Sequence, residues 1–260
     1  MRNPRPRFSI RMLLCGIATV ACLLAFSVRF GPHLVWRVSY SHTAVGVNSV
    51  PCKPLISNAL TEEVVSCHVG PFSFELPRSM ANPIDVRRGI GGVNLQFGDG
   101  ERTLILNLTP LENVEIFPLA DFPDKPKLTY ARAYKEILTA DSHDFSFAMS
   151  RDEFRWHKWL LTNRTLIPDT IESMEFHRSA ELEGNLLFAP SFRCFDWATI
   201  DGTWKGTIHF QGSPQDDLNW ARHVCTTFAI NGDPKVFLGK NDAAMRSLVT
   251  TSAEHESVAN

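Results

Sequence analysis

Cys194 and Asp196 stand two residues apart in a segment of strand character, so their side chains share one face. With His209 or His223 brought beside them they would form a cysteine–histidine–acid group. The imidazole would then take the thiol proton and the carboxylate would orient the imidazole. A disulfide at Cys194 would remove that nucleophile. Four cysteines lie outside the N-terminal apolar run: Cys52, Cys67, Cys194 and Cys225. In an exported chain they allow two bridges in any of three pairings, and proximity favours Cys52–Cys67 and Cys194–Cys225.

His157 is the other residue of catalytic interest. Helical phase sets it inside a broad apolar arc between Phe154 and Leu160, where a neutral imidazole would line a pocket and exchange protons near neutral pH. A packing histidine is the simpler alternative. His177, His209 and His223 are too widely spaced to restrain a metal, so neither a metal site nor a cofactor is expected. Asp216-Asp217, with Asp201 and Asp233, makes an acidic edge without the alternating oxygen ligands of an EF-hand loop. Gly89 and Gly91-Gly92 precede a strand rather than a helix, which argues against a phosphate cradle. Walker A, dinucleotide-binding, zincin and serine-hydrolase elbow motifs are all absent from the sequence.

Among the aromatics, Trp204 follows a turn and alternates with polar neighbours, which makes it the best candidate for an exposed contact; Trp220 is the second. Such a surface would suit a protein, peptide or glycan partner. Asn107-Leu108-Thr109 and Asn163-Arg164-Thr165 match glycan-acceptor spacing, which matters only in a glycosylating compartment.

These residues must be carried by a scaffold of strands and two helices. Ser66 to Leu76 holds short alternations broken at Gly70-Pro71. Gly91–Phe97 and Thr103–Leu108 are strand-like and separated by Gly98-Asp99-Gly100, a strong hairpin signal. Val114–Ala120 is a further short strand. Tyr130–Leu138 sets Tyr130, Ala133, Tyr134, Ile137 and Leu138 on one arc, the pattern of an amphipathic helix. Ser150 and Glu153 have capping-box spacing ahead of Phe154–Leu161, which predicts a second, more buried helix. Ser173–His177, Leu182–Ala189, Phe192–Ala198, Gly202–Phe210 and His223–Ile230 read as strands. Val236–Leu238 would add a short edge, and Asn241–Val249 a terminal helix. This order predicts an α+β fold, a mixed or antiparallel sheet packed by two helices; a β-sandwich with helical insertions is the alternative.

The N-terminus fixes the setting. Arg2, Arg5, Arg7 and Arg11 precede an uncharged, largely apolar run from Met12 to Val28, closed by Arg29. As a helix that run is about 26 Å long at about 1.5 Å per residue, the lower limit for spanning a bilayer. Apolar residues continue through Phe30, Leu34, Val35 and Trp36, which favours an uncleaved anchor; Ala25 and Ser27 offer a cleavage pattern and hence the alternative of secretion. Cys22 matches a lipoprotein signal weakly, because Thr19 stands where leucine is expected. All the early positive charge lies before Met12, and no acidic residue occurs before Glu62, so the N-terminus stays cytoplasmic and the remainder is exported. With five arginines through Arg29 set aside, 21 of the 26 basic residues face all 28 acidic ones, a balance of −7 that argues against nucleic acid as a partner.

The expected organisation is a basic tail (1–11), a transmembrane or signal segment (12–28) and a juxtamembrane tether (29–63). A single extracytoplasmic domain (64–249) and a flexible tail (250–260) follow. The function expected is that of a membrane-anchored accessory or binding domain, with an exported hydrolase whose site is assembled from distant residues as the alternative.

Overall fold

The fold is that of a computed structural model, which describes residues 10–43, 49–89, 92–110, 122, 128–141, 144, 149–167, 169–212, 218–230 and 249–251. Its helices in chain order are α1 (Ile10–Thr43), α2 (Tyr130–Thr139), α3 (Arg151–Arg164) and α4 (Asn219–Thr227). The chain divides into two compact units, Met1–Asn48 with Asp141–Thr165 and Ser49–Ala140 with Leu166–Asn260.

The first unit holds α1 and α3. Helix α1 runs for 34 residues without a break, well past the predicted 12–28. Over Leu14–Gly31 none of it is buried, and Leu14, Ile17, Val20, Leu23, Leu24 and Phe26 are each more than half exposed. A helix apolar on every side has no amphipathic preference for a water-facing side. Helix α3 starts where the sequence predicts. The Ser150 hydroxyl accepts from the Glu153 amide at 3.2 Å, and the Glu153 carboxylate accepts from the Ser150 amide at 2.8 Å. Phe154, Trp156, Leu160 and Leu161 are buried, while Arg155, Lys158 and Thr162 are exposed. The Trp156 and Trp159 rings stack with centroids 5.0 Å apart.

The second unit is built on an eight-stranded sheet in the order β1-β7-β8-β9-β10-β6-β5-β4. These strands are β1 (Cys52–Pro54), β4 (Pro83–Gly89), β5 (Gly92–Gly98), β6 (Thr103–Pro110), β7 (Ser173–Arg178), β8 (Leu182–Phe188), β9 (Arg193–Thr199) and β10 (Trp204–Gln211). Neighbours are antiparallel except β1 and β7, which are parallel, so the sheet is mixed. A four-stranded antiparallel sheet, β11-β3-β2-β12, comprises β2 (Val64–Val69), β3 (Phe72–Pro77), β11 (Ala229–Ile230) and β12 (Val249–Thr251). The predicted hairpin closes β5 to β6. Its Gly100 has φ +96°, a left-handed conformation that costs a residue with a Cβ about 1 kcal/mol.

Strand alternation sorts the large sheet into two faces. One carries Leu95, Phe97, Leu104, Leu106, Phe195, Trp197, Ile208 and Phe210. These share a core with Phe72 and Phe74 of the small sheet and with Trp220, Val224 and Cys225 of α4. Phe72 and Phe228 stack at 5.9 Å, and Phe228 meets Trp197 at 4.9 Å. The other face is covered in part by α2, where Val50, Leu138, Ile171, Met174 and Leu187 form a smaller core. The α+β expectation and the mixed sheet therefore hold, with α2 and α4 as the helices packed on it.

Several details differ from expectation. Cys52–Pro54, placed in the tether, is a strand of the large sheet, and its flanking Val50 and Leu55 are buried. His223–Ile230 is helical through Thr227 and extended only at Ala229–Ile230, because Trp220, Ala221, Val224 and Cys225 point into the core at helical spacing. Thr250 and Thr251, assigned to a flexible tail, pair with His68 and Cys67. No disulfide joins any of the six cysteines. The favoured pairings fail for a shared reason: the large sheet separates the partners. Cys67 and Cys225 belong to the core shared with the small sheet. Cys52 packs with Leu138 and Met174 on the α2 side, and Cys194 alternates out of the core-facing row of Phe195 and Trp197. Val114–Ala120, Asp216-Asp217, Asp233, Val236–Leu238 and Asn241–Leu248 lie outside the described residues.

Candidate functional site

Of the cysteine, histidine and acid named from the sequence, Cys194, Asp196 and His209 lie on one face of the β9–β10 pair, while His223 lies on α4. Across the β9–β10 ladder Cys194 is directly opposite His209, and Asp196 opposite Thr207. Thr207 in turn pairs with Asn107 on β6, whose side-chain amide donates to the Thr207 hydroxyl at 3.1 Å. Lys205 follows on the same row, with its ammonium 4.7 Å from the Tyr130 ring of α2. The α2 start is tied to this face by its own cap. Thr129 accepts from the Arg132 amide and donates to Glu183 at 2.6 Å, while Asn185 donates to the Ala131 carbonyl at 2.7 Å.

The electrostatics of this row oppose nucleophilic chemistry. Burial, reinforced by the nearby Asp196, pushes the Cys194 thiol up to about 12. Burial also raises the Asp196 carboxyl to about 7 against the pull of Lys205, and lowers His209. A thiol held protonated beside a neutral imidazole is a poor nucleophile. His209 instead has its Nε2 3.3 Å from the Thr207 hydroxyl. The row fastens α2 to the sheet and offers polar groups beyond it.

His157 sits in α3 where helical phase predicted. It is buried, and burial lowers its pKa although a hydrogen bond to the Asp141 backbone acts the other way. Its Nε2 meets no partner among the described residues. Trp204 and Trp220 are not exposed: they retain 2% and 4% of their surface. Trp204 shares its row with Ile208 and Phe210, so its polar neighbours mark the outward face of a half-buried strand. Phe72 meets it edge-on at 6.4 Å. Trp220 abuts Phe210 at 5.3 Å. His177 and His209 occupy opposite faces of the large sheet and His223 lies on α4. Among the described residues no three histidine, cysteine or carboxylate side chains gather as a metal would need.

A second polar cluster was not foreseen. Helix α4 presents Asn219, His223 and Thr227 at intervals of four, a single stripe along the edge of its core-facing side, with Asn219 buried. Asn219 clasps the segment after β1, its Oδ1 accepting from the Asn58 amide at 3.1 Å and its Nδ2 donating to the Asn58 carbonyl at 3.2 Å. Thr227 accepts from the Glu75 amide on β3 at 3.0 Å. Between them, His223 has Nε2 2.7 Å from a Glu75 carboxylate oxygen and Nδ1 3.4 Å from the Ser57 hydroxyl. In the tautomer that donates Nε2–H to the carboxylate, Nδ1 presents its lone pair to Ser57. The three side chains are partly accessible, His223 keeping 16% of its surface and Glu75 39%.

Beside this stripe lies a cavity of about 360 Å³ lined by Ala59, Leu60, Glu62, Arg102, Asn219 and Trp220, among others. Arg102 forks onto Glu62 at 2.6 and 3.0 Å and onto Asp99 at 2.8 Å, and its guanidinium lies 5.9 Å from the Trp220 ring. Burial works to raise the Asp99 carboxyl, but bonds from the Arg102 amide and side chain, Glu101 and Ser79 outweigh it and bring it down to about 2.

Ser57 and Glu75 escaped the sequence because one lay in a presumed tether and the other in an unremarkable strand. They stand 166 and 148 residues from His223, a separation without any motif signal. Neither a family model, nor a curated protein, nor a solved structure matches this chain.

Proposed function

We propose that this chain is a membrane-anchored accessory or binding domain, held by α1, with its C-terminal domain on the extracytoplasmic side. The observation that carries the reading is the uncovered apolar surface of α1 across Leu14–Gly31. Eighteen residues of helix reach about 27 Å, close to the hydrocarbon thickness of a bilayer. Arg2, Arg5, Arg7 and Arg11 before that window support a cytoplasmic N-terminus.

Anchoring would work by raising the local concentration of the domain near partners at the membrane. With Trp204 and Trp220 in the core, contact with a protein, peptide or glycan falls to polar surface. The half-buried Lys205, Thr207, His209 and Asn107 on β10 and β6 supply donors and acceptors there.

The test is membrane fractionation of the full-length chain, with intact mass and protease accessibility from each side. An intact N-terminus in the membrane fraction, with a domain digested only from outside, supports the reading. A chain shortened near Ser27 and released into the soluble exported fraction overturns it.

A further inference from the structure

Beyond the anchoring role, we propose that Ser57, His223 and Glu75 form a serine nucleophile with its base and orienting acid, competent to hydrolyse small carboxylic esters. The parts stand in relay order: Ser57 Oγ at 3.4 Å from His223 Nδ1, and His223 Nε2 at 2.7 Å from Glu75. They come from three segments that a single helix, α4, holds together. Asn219 holds the chain beside Ser57, α4 carries His223, and Thr227 fixes the Glu75 backbone. The Glu75 carboxylate reaches His223 rather than Ser57 and makes Glu75 a positioning residue; Ser57 and His223 are the reacting pair.

In the resting arrangement the Ser57 hydroxyl also reaches its neighbour's carbonyl, Asn58 O, at 3.1 Å. Rotation about the Cβ–Oγ bond redirects its hydrogen to Nδ1. Attack then forms a bond from Oγ to the acyl carbon as the proton passes to His223, and the carbonyl electron pair moves to oxygen. On collapse the bond to the leaving alcohol breaks, and His223 returns the proton to that oxygen. Water, deprotonated by the same nitrogen, attacks the acyl carbon; the bond from that carbon to Ser57 Oγ then breaks, His223 returns the proton to Oγ, and the carboxylic acid leaves. Ester and water become acid and alcohol, and Ser57 and His223 end as they began.

The neighbouring cavity is lined by Ala59, two residues from Ser57, and by Asn219, one helical turn from His223, but by none of the three relay residues themselves. An ester is the fitting substrate class because its alkoxide leaves more readily than the amine of an amide.

The full chain in detergent micelles would be treated with a fluorophosphonate probe, mapped by peptide mass, and assayed with p-nitrophenyl acetate. The expected result is one adduct, on Ser57, and hydrolysis that falls about 100-fold in Ser57→Ala and His223→Gln. Glu75→Gln should lower kcat with KM unchanged, and Glu75→Asp should restore part of it, a split that a purely structural contact would not produce. Ser57→Cys keeps a nucleophile at the site and should react with iodoacetamide faster in the presence of His223 than in the Ser57→Cys, His223→Gln double variant. An unmodified Ser57 in folded protein, or hydrolysis equal in wild type and Ser57→Ala, overturns the proposal. So does an alkylation rate of the Ser57→Cys variant that is indifferent to His223.

Discussion

Cys194 and His209 face one another across the β9–β10 ladder, and burial keeps both neutral. Proximity alone therefore does not activate the thiol; that would need a cation or a water-exposed base, and the Asp196 carboxyl works in the opposite sense. Alkylation should report this directly. In the folded chain at pH 8, Cys194 and the fully enclosed Cys225 are expected to resist iodoacetamide for hours. After denaturation without reductant, all six cysteines should take one alkyl group each, in keeping with the absence of disulfides. Intact mass checks both statements, and a denatured mass short by two or four alkyl groups would show bridges.

Asp196 gives a pH dependence of definite sign. Its carboxyl ionises near 3.8 in an ordinary setting and at about 7 in the fold, chiefly because burial penalises the charge. Between those values the folded chain holds a proton that the unfolded chain has released. This contribution to stability is therefore complete below about pH 4 and lost as pH rises toward 7. Asp196→Asn cannot ionise and should remove that slope. Relative to wild type the variant should gain on the order of 4 kcal/mol at pH 8 and almost nothing at pH 4. Thermal unfolding at the two pH values measures it, and a Tm difference that does not change with pH would reject the assignment.

Where local chemistry decides structure, the sequence was readable. The capping box at Ser150 and Glu153, the Gly98-Asp99-Gly100 turn and the helical arc from Tyr130 each carry their own signal, and each element formed where expected. Long-range pairing was not readable. Three residues at Cys52–Pro54 form a strand only because β7 lies alongside, and Val224 to Thr227 have strand propensity overridden by helical packing against the core. The site divides the same way. Cys194 and Asp196 could be set on one face in advance because side chains alternate along a strand, but the sequence left His209 and His223 equally open as the third member. Ser57, Glu75 and His223 depend on where the segment after β1, the small sheet and α4 meet.

Gly206 tests the tightness of the core. It pairs with Trp197, whose indole lies across it, and a Cβ there would stand 2.5 Å from the ring and 2.3 Å from the Asn107 carbonyl oxygen. The backbone oxygen cannot retreat without breaking the β6–β10 ladder. Gly206→Ala should cost about 2 kcal/mol. Gly100→Ala, with positive φ but open space around it, should cost about 1 kcal/mol. Urea midpoints of the two variants give the comparison, and a Gly206→Ala midpoint equal to wild type would mean the Trp197 ring is free to shift.

Anchoring by α1 makes a quantitative claim about two side chains. Val20 and Leu24 lie one turn apart near the middle of the uncovered window and are 56% and 61% exposed. An arginine near the centre of a spanning helix adds about 3 kcal/mol to the free energy of insertion, so Val20→Arg with Leu24→Arg adds about 6. Conservative changes, Val20→Leu with Leu24→Ile, add almost nothing. Water-facing helices tolerate both pairs equally, because arginine on an exposed surface has no desolvation to overcome. The arginine pair should therefore shift the chain from the membrane fraction to the soluble or degraded pools, and the conservative pair should leave it in place. Equal membrane retention of the two variants would show that α1 is held by something other than lipid.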